Sequence, residues 1–207
     1  MNEKTAKLIT MLQLQTEMNG WVHEDWANKG FEWYRAIWIE ASEMLEHYGW
    51  KWWKHQQPDL AQVKLEVIDI VHFMLSQELT DGRPHADIAH EIAVALETPR
   101  ATDDLKNTIE LLALETLQNK CAPFDIIAGL MQQLDMEFDE LYERYVGKNV
   151  LNIFRQDNGY KTGEYIKQWN GREDNEYLED ILAELNVNSG SYREDVYASL
   201  ASRYSGV

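Results

Sequence analysis

The chain has 207 residues, enough for one domain of ample size, and its 44% apolar and 11% aromatic content is that of a globular protein, not a disordered one. No stretch approaches about 18 uncharged apolar residues, which excludes a membrane-spanning helix. A formal charge of −17 argues against a nucleic-acid binder, whose affinity comes mainly from Lys and Arg on phosphates.

Taken in chain order, the signals are helical. The N-terminal MNEKTAKLITMLQLQ carries acid and amides where a signal peptide needs an apolar core. Residues 3–22 instead read as a helix, with Leu8, Met11, Leu12, Met18 and Val22 at helical spacing. Residues 31–48 form a second amphipathic stretch, with Trp33, Tyr34, Ile37, Trp38, Ala41, Met44, Leu45 and Tyr48 on one broad face. After Pro58-Asp59, residues 59–79 are apolar nearly all round, as in a buried helix. A turn at 80–84 leads to expected helices over 85–97, 103–119 and 124–146, the last stopped by Gly147 as a C-cap. A helical patch at 148–156, a turn at Asn158-Gly159 and two short acidic helices after 173 complete the chain. No alternating strand pattern of useful length is present, so the expected fold is all-α, one domain over 1–207. The lone cysteine, Cys121, allows no internal disulfide and fits a reducing cytoplasm.

Two acid pairs stand in the most apolar helices. Glu40 and Glu43 are three residues apart, and so are Glu66 and Asp69. Residues at that spacing sit about 60° apart on a helix and can face one object. With 36 acids in the chain, chance alone gives roughly six such pairs, so one pair means little. A second pair on a helix as apolar as 59–79 means more, because burying ionised carboxylates demands a cation. Oxygen-only ligands favour Mg²⁺ or Mn²⁺ over zinc.

Charge is also uneven. Residues 148–172 hold Lys148, Arg155, Lys161, Lys167 and Arg172 against Asp157 and Glu164, whereas 173–207 hold eight acids and two arginines. A basic island in an acidic chain suggests a local anion site. Its sequence, GKNVLNIFRQDNGYKTGEYIKQWNGREDN over 147–175, combines long cations with amides around a Gly-containing turn. Such groups can satisfy the oxygens of a polyphosphate. Acids for metal and bases for phosphate are the two halves of a phosphoryl-transfer site.

The ExxE…ExxD arrangement, with twenty-two residues between Glu43 and Glu66, resembles the all-α nucleoside triphosphate pyrophosphohydrolases, which include dimeric dUTPases and MazG-like proteins. The 147–175 stretch is similar to the dimeric dUTPase pattern K-N-x-L-N-x-F-R-Q-x-x-G-Y-K-x-G-x-Y, followed by W and E-D-N. That resemblance covers most of 11–79 and 147–177 and implies a Mg²⁺-dependent homodimer that converts dUTP, and also dUDP, to dUMP by attack at the β-phosphorus. It implies that Glu40, Glu43, Glu66 and Asp69 hold metal; of these carboxylates, Glu43 is the one expected to take a proton from water. Lys148, Asn152, Arg155, Lys161 and Asn175 would steady the phosphates. Gln15 and Asn19, on the apolar stripe of the first helix, would read the pyrimidine edge. Trp50, Lys51, Trp53 and Lys54 would border the pocket, and His72 matches a family position. Residues 80–146 would supply scaffold and subunit contacts. Two alternatives stay open: a dCTP-directed or broader pyrophosphohydrolase, since amides can flip to suit cytosine, and a non-catalytic nucleotide-binding dimer.

Overall fold

The structure is a computed structural model that describes residues 2–187, 189 and 191–204, so the ends of the 1–207 span and residues 188 and 190 lie outside the described residues. The chain divides into two compact units, Met1–Leu141 and Tyr142–Val207.

In the first unit the chain forms α1 (Glu3–Val22), α2 (Trp33–Tyr48), α3 (Leu60–Glu78), α4 (His85–Ala95), α5 (Leu105–Asn119) and α6 (Phe124–Gln133). Local chemistry sets several starts. Asn2, Asp59 and Asp104 each accept a hydrogen bond from a first-turn N–H, those of Thr5, Gln62 and Asn107, at 2.8, 3.2 and 3.0 Å. The most extensive packing is α2 on α3; α2 also packs on α5, α1 on α4, and α5 on α6. As its composition demands, α3 buries apolar side chains on every side: Val63, Leu65, Val67, Ile68, Ile70, Val71, Met74 and Leu75. Each such side chain contributes about 1.5–3 kcal/mol by leaving water.

The broad apolar face expected on α2 is narrower in fact. Only Ile37, Ala41 and Met44 are buried, a seam at i, i+4 and i+7. Trp38, about 100° round the axis from Ile37, stays 40% exposed.

The helix expected over 124–146 is two. α6 ends at Gln133, Asp135 takes a left-handed backbone at φ 48°, and Met136 N–H closes on the Met131 carbonyl at 2.9 Å. Aspartate tolerates that conformation better than most residues. α7 (Phe138–Asp157) then runs straight through Gly147 and absorbs the patch at 148–156. Gly147 is not a cap. An added Cβ there would lie 2.5 Å from Leu182 Cδ2, so glycine lets a neighbouring helix approach.

Gly129 in α6 answers a harder constraint, because its added Cβ would meet the Arg100 carbonyl oxygen at 2.3 Å. The Arg100 loop is pinned by its N–H on the Asp125 carbonyl and by ion pairs to Asp125 and Glu115 at 2.7 and 2.8 Å. Alanine would gain about 1 kcal/mol of helix propensity. Gly129→Ala is nevertheless expected to lose about 1–3 kcal/mol by overpacking, read from urea unfolding; a stabilised variant would show that the loop yields freely.

The second unit holds the body of α7, the hairpin of β1 (Gln168–Trp169) and β2 (Arg172–Glu173), α8 (Asp174–Glu184) and α9 (Tyr192–Tyr204). Strands of two residues have no room for alternation, which is why no strand signal was visible. Asn170 and Gly171, at φ 51° and 86°, make the two-residue turn that suits a hairpin's twist. Trp169 is fully buried and packs against Phe154, Tyr177 and Tyr204, with ring centroids 6.1, 5.3 and 5.2 Å away. α8 opens with a capping box between Glu173 and Glu176. Among the described residues no helix is long and apolar enough to cross a membrane.

Candidate active site

The α2–α3 pairing brings acids from two helices together. One carboxylate oxygen from each of Glu40, Glu43 and Glu66 lies within 4.8 Å of the other two. Glu66 is buried, Glu40 half-buried and Glu43 exposed. At 4.8 Å, two unit charges repel by about 3 kcal/mol at an effective dielectric of about 20. Three such carboxylates therefore favour a cation among them. His47 Nε2, 3.4 Å from Glu66 Oε1, is a partner that the sequence did not suggest. It lies on α2 one turn beyond Glu43, a spacing that could have flagged it.

Asp69 does not join the convergence and is half-buried. Three residues beyond Glu66, it sits about 4.5 Å further along α3 and about 60° round. The expected four-acid set is thus three acids with a fourth beside them.

A second cluster links α1 to α3. Gln15 and Asn19 are buried, as are His72 and Ser76. Gln15 Nε2 donates to Asn19 Oδ1 at 3.0 Å and to Ser76 Oγ at 2.9 Å, while Asn19 Nδ2 donates to Ser76 Oγ at 3.1 Å. His72 Nδ1 lies 2.7 Å from Gln15 Oε1, and Ser76 Oγ is 2.9 Å from the His72 carbonyl. The amides expected to read a base are thus held in a buried polar network. Ser76 was missed; its one signal is a hydroxyl four residues after His72 on an otherwise apolar helix.

The loop from α2 to α3 carries the tryptophans. Gln56 braces it by accepting the Lys51 N–H at 2.8 Å. Trp50 and Trp53 meet edge to face at 5.2 Å, as do Trp52 and Trp53 at 5.4 Å. Trp50 is 42% exposed, Trp53 57% and Trp52 89%, so all three stand open to solvent. Lys51 pairs with Glu46, and Lys54 is exposed.

In the second unit Arg155, one cation of the basic segment, is paired with a buried acid. Arg155 Nε and Nη2 each donate to an oxygen of Asp174 at 2.8 Å, and the Tyr165 hydroxyl donates to Asp174 at 2.8 Å. Asp174 is fully buried and Arg155 nearly so. Burial alone would raise the Asp174 pKa, but the hydrogen bonds and charge of Arg155, with Tyr165 and Lys148, hold it below the usual carboxylate range. Burial and the Asp174 charge together push the Tyr165 phenol far up. Lys148 donates to Asn175 Oδ1 at 3.0 Å, and Asn152 accepts from Arg155 at 3.2 Å. Lys161 is exposed. Asp174 and Tyr165 stand inside the 147–175 stretch, yet nothing in the sequence assigns them a role, because the pairing depends on the hairpin between them.

Comparison with known families decides what this assembly is. A family model described as dUTPase matches residues 7–160, roughly three-quarters of the chain. The chain belongs to the dUTPase family. It is the all-helical branch of that family, in keeping with the fold, and dUTP hydrolysis is its activity. No curated protein matches the chain. The match to the dUTPase family takes in all four acids, Gln15, Asn19, the tryptophan loop, His72, Lys148, Asn152 and Arg155. Lys161 and Asn175 lie beyond its end.

Proposed function

We propose that the chain splits dUTP, and also dUDP, to dUMP with the help of a divalent cation, and so keeps uracil out of DNA. The observation that carries this is the convergence of three carboxylate oxygens within 4.8 Å. Their hard, anionic donors fit Mg²⁺, with Mn²⁺ as a substitute, and fit zinc poorly. Glu40, Glu43 and Glu66 would hold the ion, with Asp69 beside them. Held there, such a cation supplies Lewis acidity, acidifying water and offsetting phosphate charge.

The chain's own groups do the rest. Glu43, the exposed member of the cluster, takes the proton from the attacking water. Lys148, Asn152, Arg155, Lys161 and Asn175 hold the oxygens of the polyphosphate and leaving group. Gln15 and Asn19, oriented by His72 and Ser76, read the uracil edge, where a mismatched base would leave buried polar groups unpaired. Trp50, Trp53 and Lys54 flank the nucleotide. The two units serve as one dUTPase domain over 1–207, working as a cytoplasmic homodimer. Exposed Trp38 and Ile39 on α2, and Leu114 and Leu117 on α5, which packs on α2, support the dimer as apolar side chains that a subunit contact would bury.

A panel of deoxynucleoside triphosphates, with Mg²⁺ and with EDTA, tests the reading. Cleavage of dUTP above the others, abolished by EDTA and restored by Mg²⁺, is expected. Activity persisting without divalent metal would exclude it. Preference for dCTP would replace uracil by cytosine as the base read, and binding without turnover would make the chain a nucleotide binder.

A further inference from the structure

Asp174 is the first residue of α8 and is fully buried. Its two oxygens accept both Nε and Nη2 of Arg155, and one also accepts the Tyr165 hydroxyl, all at 2.8 Å. This two-pronged contact fixes the plane of the guanidinium. Arg155 passes that orientation on. Nη1 donates to Asn152 Oδ1 and Nη2 to Asn175 Oδ1, each at 3.2 Å, and Lys148 Nζ reaches the same Asn175 oxygen at 3.0 Å. Lysine and arginine have no acceptor, so these contacts dictate which end of each carboxamide faces the cations. It is the oxygen. The NH₂ groups of Asn152 and Asn175, both on half-buried residues, are turned the other way.

We propose that Asp174, supported by Tyr165, is the positioning residue of this segment: through Arg155 it presets the NH₂ groups of Asn152 and Asn175 as donors to a polyphosphate. The proposal rests on the assignment of residues 147–177 to phosphate holding. Its physical basis is preorganisation. A buried ion pair adds little net stability over apolar residues of the same volume, but donors already aimed at an anion need no reordering when it arrives. An asparagine at 174 has one acceptor oxygen in place of two and no charge. It cannot grip both guanidinium nitrogens, and the amides beyond would lose their fixed sense.

The test compares two inhibitors of dUTP hydrolysis, inorganic pyrophosphate and deoxyuridine, on the full chain. Asp174→Asn is expected to raise the pyrophosphate Ki and the KM for dUTP by about tenfold, and to leave the deoxyuridine Ki within about twofold. Tyr165→Phe, a milder change that removes one hydrogen bond to Asp174, is expected to raise the pyrophosphate Ki about threefold; it decides the matter if Asp174→Asn does not fold. In an Asn152→Ala/Asn175→Ala background, Asp174→Asn should add less than about twofold, because the groups it acts through are gone. An unchanged pyrophosphate Ki, a parallel rise in both Ki values, or an undiminished effect in the double-alanine background would each overturn the positioning role. If pyrophosphate fails to inhibit the unaltered protein, the assignment of the segment itself falls, and the positioning role with it.

Discussion

Glu43→Gln is expected to lower dUTP turnover by about 10³-fold while the protein unfolds at an unchanged or higher temperature. The two halves of that expectation have one source. Glu43 is exposed, makes part of a cluster with Glu40 and Glu66, and sits on α2 outside the seam of Ile37, Ala41 and Met44. A glutamine there costs no packing and relieves repulsion among three acids. On the proposed mechanism it removes the proton acceptor and one of the charges that would attract the cation. Steady-state hydrolysis and thermal unfolding, measured on the same preparation, check it. Loss of activity through unfolding would mean that the cluster is structural, and full activity in a folded variant would move the proton-accepting role elsewhere. Glu66→Gln would discriminate less well, because Glu66 is buried and contacts His47.

What could be read from the sequence follows from the range of the forces involved. Helices with one strong period came through with their boundaries nearly intact: 3–22, 31–48 and 59–79 became α1, α2 and α3. Local propensity and a single apolar stripe decide such elements. The break after Gln133 was not legible, because LeuAspMet at 134–136 contains no Gly or Pro and the kink depends on Asp135 accepting a left-handed backbone. Gly147 misled for the converse reason. A glycine after a periodic run signals a cap, and only the position of Leu182 reveals that it serves close packing. The hairpin at 168–173 did carry its signal, Asn170-Gly171, but without alternating flanks that signal has little weight.

The site divides in the same way. The three converging acids were legible because α2 and α3 follow one another in the chain and pack together, so helical spacing translates directly into proximity. Ser76, His47 and Tyr165 were not assigned, since each matters through a partner distant in the chain, across a helix pair or across the hairpin. The cations of 148–172 were legible as charge but not as structure. Arg155 is spent first on Asp174, an acid that the sequence counts among the acidic tail. A formal charge map treats the two as separate features, whereas the folded chain makes them one buried group.

Arg155→Met is expected to cost about 3–5 kcal/mol at neutral pH, the usual penalty for leaving one partner of a buried ion pair behind. Asp174 would remain fully buried with Tyr165 as a hydrogen-bond donor and Lys148 as the neighbouring positive charge. The pH dependence identifies the cause. In the unaltered protein the folded pKa of Asp174 lies below its unfolded value, so its contribution is fully present above about pH 4 and is lost as pH falls through the folded pKa. In Arg155→Met burial dominates and lifts the folded pKa above the unfolded one. Stability is then lost as pH rises from about 4, and protonation at lower pH restores it. Urea midpoints should therefore fall with pH between about pH 4 and 8 more steeply for the variant than for the parent; parallel curves would show that Asp174 does not carry a buried charge. Arg155→Met/Asp174→Leu removes both charges and should recover most of the lost stability, because apolar replacement of a buried pair is often neutral. That stable double variant would still lack Arg155, both as a proposed phosphate-holding cation and as the group that orients Asn152 and Asn175. If it folds well and binds pyrophosphate weakly, the ion pair is kept for the site and not for the fold.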